Sequence, residues 1–388
     1  MNQLRFRQIV LVISLVIMTG VFSACRSVPA REAAALADAT PIPAALPAPT
    51  ELPVASPTPT VTPQPTPALD LSALTKITPL PTDVSPFTGL KAANPALLQR
   101  MPAAVKISNS PLARPQSGLS KADVVIEHLA EGGITRFTAI FHSQDAERIG
   151  PVRSARLIDL ELPTLFDAFL VYSGANSEVN HLIEASDFSD RIISDERKDP
   201  GFYRLDIAGR AYEHSLFTDS ELLAQYAEDK NWTTPPRYRG WYWSKTPASQ
   251  ATAARTITIP YNAVYSDVTY TYDAGLAAYR RSILGELQMD DLTKKPLLAD
   301  NVVVLYVPHV PTEIVEDALG DTSLQIQLWG QGRMQLFRNG TVTEGTWVRP
   351  ERADPLLFAD ADMQPLSLKP GNVWIQIVPT DMAVTSAP

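Results

Sequence analysis

The chain has 388 residues, one cysteine, 34 prolines and a formal net charge of -9. An acidic chain lacks the basic face that general nucleic-acid binding requires, and a single cysteine excludes an internal disulfide, a multi-cysteine zinc site and paired-thiol redox chemistry. A globular part of roughly 300 residues is still large enough to bury a core without covalent staples.

At the N-terminus, Arg5 and Arg7 precede the apolar run Ile9–Met18 and a small-residue stretch ending at Cys25. A basic region, a short apolar run and small residues before a cleavage point form a secretory signal. The segment VFSAC resembles a bacterial lipobox, with Phe22 where leucine is usual. The run is shorter than the ~20 apolar residues of a membrane span. Residues 1–25 are therefore expected to be a lipoprotein signal peptide with its lipobox. Lipidated Cys25 would hold the protein to the outer side of the bacterial membrane, with the bilayer as its partner. Removal of residues 1–24 takes away two arginines and no acid, so -9 becomes -11, and attraction to anionic lipid is left to the anchor.

Residues 26–84 are rich in Pro, Thr and Ala, as in PTPTVTPQPTP, and contain no glycine. Such a stretch cannot bury a core and favours polyproline II. It is expected to be a disordered tether, reaching roughly 180 Å at ~3.1 Å per residue. Residues 85–230 read as an α/β lobe. AVKISN is a strand, and Asp123–Ser143 is two β-rich runs around Gly132-Gly133, a hairpin signal. Arg153–Phe169 reads as a helix with Ser154 as its cap and a kink at Pro163, FLVYSG as a buried strand, and the segment after Asn176 as a capped helix. Thr218 and Glu221 suggest a capping box on a further helix. Residues 231–255 form an aromatic connector, and residues 256–380 carry strand signals almost alone, as in RTITIPY, NVVVLYV and VWIQIVP. The fold class expected is mixed α+β and α/β, an α/β lobe packed with a β-rich lobe.

Two stretches could carry chemistry. With Gly132-Gly133 as a two-residue turn, Leu129 faces Arg136, and Glu127 lies diagonal to it, so an acid and a guanidinium would share one face; a loop longer by one residue changes that face. The second is ERIGPVRSAR, residues 147–156. Arg153 and Arg156 would sit on a first helical turn, where cations are unfavourable unless an anion compensates. That anion is either a ligand carboxylate or phosphate, or one of Glu127, Glu131 and Asp159. Asn176 at the next helix start and Arg114 would join the binding set, since ligands gather at strand carboxyl ends. Glu127, Glu131 and His214 are the candidate catalytic groups; His128 and His181 read as structural. Metalloprotease, nucleophile-elbow and phosphate-loop motifs are absent, Ser154 and His214 do not form a recognisable nucleophile–base pair, and neither a metal site nor a cofactor is implied. Trp232, Trp241 and Trp243 read as packing groups, with stacking on a sugar or peptide as the alternative.

The segments RPQSGLSKADVVIEHLAEGGITRF, RIGPVRSAR and AYEHSLF, with YDAGLAAYRRSILGELQMDD and GNVWIQIVP further on, closely resemble the YerB-like family of bacterial lipoproteins. The resemblance spans nearly all of Ser85–Pro379. It implies a two-part extracytoplasmic domain without an assigned activity. Arg114, Gln116, Glu127, Glu131, Gly132, Thr135, Arg136, Arg153, Ser154, Arg156 and His214 match motif positions, none with a transferable role. The function expected is a tethered binding module for an anionic small molecule or cell-wall fragment. The alternatives are an envelope hydrolase or transferase built on Glu, His and Arg, and a protein-interaction scaffold. The sequence leaves the oligomeric state open.

Overall fold

The computed structural model describes residues 71–76, 78–237, 240–316 and 319–388. The signal segment, Cys25 and the tether up to residue 70 lie outside them. From residue 71 the chain is docked. One helical turn, α1 (Ser72–Thr75), buries Leu74 against Val348, Leu357 and Ala359, and Tyr242 Oη donates to its Ala73 carbonyl at 3.1 Å.

The mixed α and β character read from the sequence is present. The principal element is an eleven-stranded sheet to which both halves of the chain contribute. Its first-half strands are β1 (Ala103–Ser108), β2 (Val124–Leu129), β3 (Thr135–Phe141), β4 (Phe169–Tyr172) and β5 (Ile192–Ser194). The order runs from Leu357–Ala359 through Thr341–Arg349, Gly330–Arg338, Asn301–Tyr306 and Val373–Val378 to β2, β3, β1, β4 and β5. Strand Val373–Val378 is the seam. It lies parallel to both β2 and Asn301–Tyr306, so the penultimate strand of the described chain joins the two halves. These central strands are buried on both faces, which is why they read as nearly unbroken apolar runs.

One sheet face is covered by a smaller six-stranded sheet containing Thr256–Pro260, Asp267–Asp273 and Ala278–Ile283. Val105, Val125 and Phe137 meet Ile257, Val268 and Tyr279 there. The other face takes Ala104, Ile126 and Ile140, packed with Phe87, Leu162, Phe166 and Trp241. Two longer helices flank β4. α3 (Ser177–Glu184) covers one side through Val179 and Ile183, and α4 (Ser220–Asp229) covers the other through Leu223 and Ala227. The Asn176 cap of α3 is as read, its Oδ1 accepting from the Glu178 N–H at 2.9 Å. The α4 cap is Asp219, one residue beyond the expected threonine, with Oδ1 accepting from Leu222 N–H at 2.8 Å.

Two local expectations are corrected. The hairpin turn is longer by one residue: Glu131–Gly133 form a 3-10 turn, with Gly132 and Gly133 at φ 62° and 71°. The register therefore pairs Leu129 with Thr135, His128 with Arg136 and Glu127 with Phe137. Successive strand residues face opposite ways, so that single step moves Glu127 to the face away from Arg136. No long helix forms over 153–169 either. Residues 149–155 are an extended strap whose backbone is committed elsewhere. Ile149 pairs with Thr218, Val152 N–H donates to Leu216 O, Arg153 N–H to Lys106 O, and Ala155 N–H to Gly174 O. Only a 3-10 turn, Leu157–Leu160, and one turn, α2 (Leu162–Leu165), follow. Ser154 caps nothing.

Candidate functional site

Buried charges in the central strands fall on both faces, and each face solves the cost of burial differently. On the face toward the small sheet, Glu127 Oε2 accepts from Arg281 Nη2 at 2.6 Å, with both side chains fully buried. Its Oε1 accepts from Thr135 Oγ1 at 2.7 Å and Asn109 Nδ2 at 3.1 Å. Arg281 also donates to Tyr270 Oη and Gln288. Arg114 lies on this side and is spent on backbone carbonyls, donating to Asn109 O at 2.8 Å and Tyr265 O at 2.6 Å. Burial and the Arg281 charge push Arg114 down to about 10. This is a closed network, with the carboxylate fully partnered.

On the opposite face, Lys106 Nζ lies 2.8 Å from Asp159 Oδ2, 2.9 Å from Thr138 Oγ1 and 2.7 Å from His128 Nε2, with no solvent access to either ion. Burial lowers Lys106 to about 8 despite the aspartate. Asp159 Oδ2 also accepts the Arg156 N–H at 2.7 Å, which orders the strap where it leaves the sheet.

Glu131 is the hub of the next layer. It receives Arg136 Nη2 at 2.6 Å, Arg156 Nε at 2.6 Å and Arg156 Nη2. The two guanidiniums hold its carboxyl far below the usual range against the opposing effect of burial. Glu316 stands 3.6 Å from Arg156. Arg156 is completed by donating Nη1 to Ala155 O at 2.7 Å. Among the described residues, Arg136 and Arg156 thus share ion pairs with two carboxylates, while Glu213 acts on Arg153 only through its charge. Arg153 forms no ion pair among the described residues and donates only Nη1, to Glu213 O at 3.2 Å, with the Glu213 carboxylate nearby.

Several polar atoms around Arg153 are unmatched. Arg136 is 7% exposed, and its Nε and Nη1 are buried without partners. Arg153 Nε is buried and unpartnered, as is Nδ1 of His214, itself 3% exposed. These groups feel one another. Burial first, then the neighbouring cations Arg156 and Arg153, lower Arg136 to about 10; burial and then Arg153 also depress His214. The pairing of the strap with residues 216–218 brings them together beside the start of β3. β1, β2 and β4 are parallel, and this is their carboxyl edge.

Of the expected set, Glu131, Arg136, Arg153, Arg156 and His214 are gathered. Glu127 and Arg114 belong to the other face. Asn176 Nδ2 donates to Val315 O at 2.6 Å, and the Ser154 hydroxyl forms no hydrogen bond among the described residues. Arg281 and Glu316, partners of Glu127 and Arg156, stand more than 150 residues from them in sequence, and no local pattern could have indicated either.

The histidines give the domain a defined acid response. Burial first lowers His142 to about 4 and drives His128 well below its usual value, and it also depresses His214 and His309. Each is harder to protonate in the folded state than in the unfolded chain, so stability present above about 6.5 is lost as pH falls. For His142 the loss between about pH 7 and pH 5 is about 2 kcal/mol. Asp123, raised by burial to about 6, works the other way and returns about 1 kcal/mol over that interval. Four histidines outweigh one aspartate, so the Tm is expected to fall on acidification from about pH 7 to pH 5. A calorimetric Tm that rose over this interval would contradict these assignments.

Comparison with known proteins supports the same architecture. Residues 87–233 match the N-terminal domain, and residues 257–375 the C-terminal domain, of a family described as a protein of unknown function (DUF3048). A Bacillus subtilis (strain 168) protein named "Putative lipoprotein YerB" is 34% identical over 299 residues, 76% of this chain and 86% of the relative. The crystal structure of YerB protein from Bacillus subtilis superposes with a TM-score of 0.67 at 32% identity, covering 78% of this chain and 99% of that one. The chain therefore belongs to the DUF3048 family, together with YerB.

Proposed function

We propose that this protein is a lipid-anchored extracytoplasmic binding module that takes an anionic small molecule, or the carboxylate or phosphate of a cell-wall fragment, at Arg136, Arg153 and His214. The observation that carries the reading is the set of buried, unpartnered guanidinium N–H groups on Arg136 and Arg153, with an unpartnered ring nitrogen of His214 beside them. Leaving a buried donor unsatisfied costs on the order of 1–3 kcal/mol, more for a charged one. An anion placed between Arg136 and Arg153 would accept from an unpartnered N–H of each guanidinium and so relieve more than one such cost, through charge-assisted contacts. The anchored location rests on Cys25 within its lipobox and on the name of the Bacillus relative.

Binding is favoured over hydrolysis because the candidate acids are already committed. Glu127 is consumed by Arg281, and Glu131 is held ionised by two arginines, which suits it poorly to donating or relaying a proton. The test is a thermal-shift titration of the full chain in detergent with phosphate, dicarboxylates and muropeptides at constant ionic strength. At least one should raise the Tm saturably, and Arg153→Ala should abolish the rise. If none shifts the Tm, or if the half-exposed Arg153 proves dispensable, the reading fails.

A further inference from the structure

A second site lies at the other end of β3. A cavity of about 240 Å³ is walled by Phe141, Phe169, Trp232 and Leu223, with Met101 and Ala103 at its base. Trp232 is one of the three connector tryptophans. Trp241 is buried between Phe166 and Phe358, and Trp243 packs against Trp241 and Gly89, whereas Trp232 borders open space with its ring 5.5 Å from that of Phe169. The mouth of the cavity shares Arg100, Asp145, Ser220 and Glu228 with a shallower depression that adds Glu147, Asp219 and Glu221. Five carboxylates thus surround one cation, and that cation, Arg100, is already bound to Asp145 at 2.7 Å.

A buried histidine adjoins the wall. His142 is 4% exposed and lines the cavity. Its Nε2 lies 3.1 Å from the Arg100 carbonyl and must be the donor in that bond, which leaves Nδ1 a bare acceptor. That Nδ1 is buried without a partner. The wall therefore offers an aromatic surface, and the rim offers negative charge. We infer that this cavity binds an organic cation, an apolar or aromatic body inserted beside Trp232 with its ammonium group held at the rim by Glu228. An aromatic face and a concentration of carboxylates both favour a cation over a neutral isostere. The site is independent of the arginine cluster, which lies at the opposite end of the same strand.

Calorimetric titration of the full chain in detergent with phenethylammonium, 2-phenylethanol and phenylacetate separates the alternatives, because the three differ chiefly in charge. Phenethylammonium should bind saturably and about tenfold more tightly than the alcohol, with phenylacetate weakest. Glu221→Gln/Glu228→Gln, two exposed positions whose change leaves the core intact, should erase the preference for the cation. Trp232→Ala should weaken the cation and the alcohol alike, and Arg153→Ala should leave the titration unchanged. Equal affinity for the three probes, tighter binding of phenylacetate, or no saturable heat with any of them would overturn the inference.

Discussion

Replacing Glu127 by alanine is expected to remove about 3–5 kcal/mol of stability, a large part of what a domain of this kind possesses. The cause is what remains. Arg281 stays fully buried, with Tyr270 and Gln288 as neutral partners and no carboxylate, while Asn109 and Thr135 each lose an acceptor. The pair also ties the halves of the chain together, since Glu127 belongs to β2 and Arg281 to the small sheet. Replacing both ions together, as Glu127→Met/Arg281→Met, should cost much less than the sum of the single changes, because no unpaired charge is left behind. Denaturant midpoints of the wild type, Glu127→Ala, the two single Met variants and the double variant measure this directly. A loss below about 1 kcal/mol for Glu127→Ala would show that the buried pair is not what the geometry describes.

Glu131→Ala is the second large effect, and it separates structure from binding. The change leaves Arg136 and Arg156 without their common acceptor, with Glu316 alone facing three guanidiniums. A loss of about 2–4 kcal/mol is expected, somewhat less than at Glu127 because the cluster retains some solvent contact. If the arginines are arranged to receive an anion, sulfate should restore part of the loss, and should do so beyond chloride at equal ionic strength. The wild-type protein should gain less, since Glu131 already satisfies half of the cluster. Equal responses of variant and wild type would mean that the arginines serve the fold alone.

The strands were legible because their composition and length report burial directly. FLVYSG, NVVVLYV and VWIQIVP are apolar on both faces, as strands inside a covered sheet must be. The α3 cap was equally local, since Asn176 needs only the N–H two residues away. The hairpin register was not legible. It turned on whether Gly132-Gly133 closed a two-residue turn or joined Glu131 in a longer one, and one residue of difference sent Glu127 and Arg136 to opposite faces. The helix expected over 153–169 failed for a different reason. Its periodicity was real, but Lys106, Gly174 and Leu216 compete for its backbone groups, and these contacts exist only in the folded sheet.

The arginine cluster shows both outcomes within ten residues. The expectation of an anion at ERIGPVRSAR rested on cations at a helix start, and that helix start is absent. Arg156 meets an internal acid, Glu131, one of the alternatives the sequence allowed. Arg148 meets Asp291. Arg153 meets neither, and the case for a ligand now rests on its unpartnered nitrogen and those of Arg136 and His214.

The most direct measurement is a crystal structure of the folded part soaked with selenate, whose anomalous signal locates an oxyanion without ambiguity. The proposed site predicts a peak within hydrogen-bonding reach of Arg153 Nε and of one unpartnered nitrogen of Arg136, either Nε or Nη1, beside His214. A map with no peak there, in which Arg136 and Arg153 are fully hydrogen-bonded to protein acceptors, would contradict the assignment.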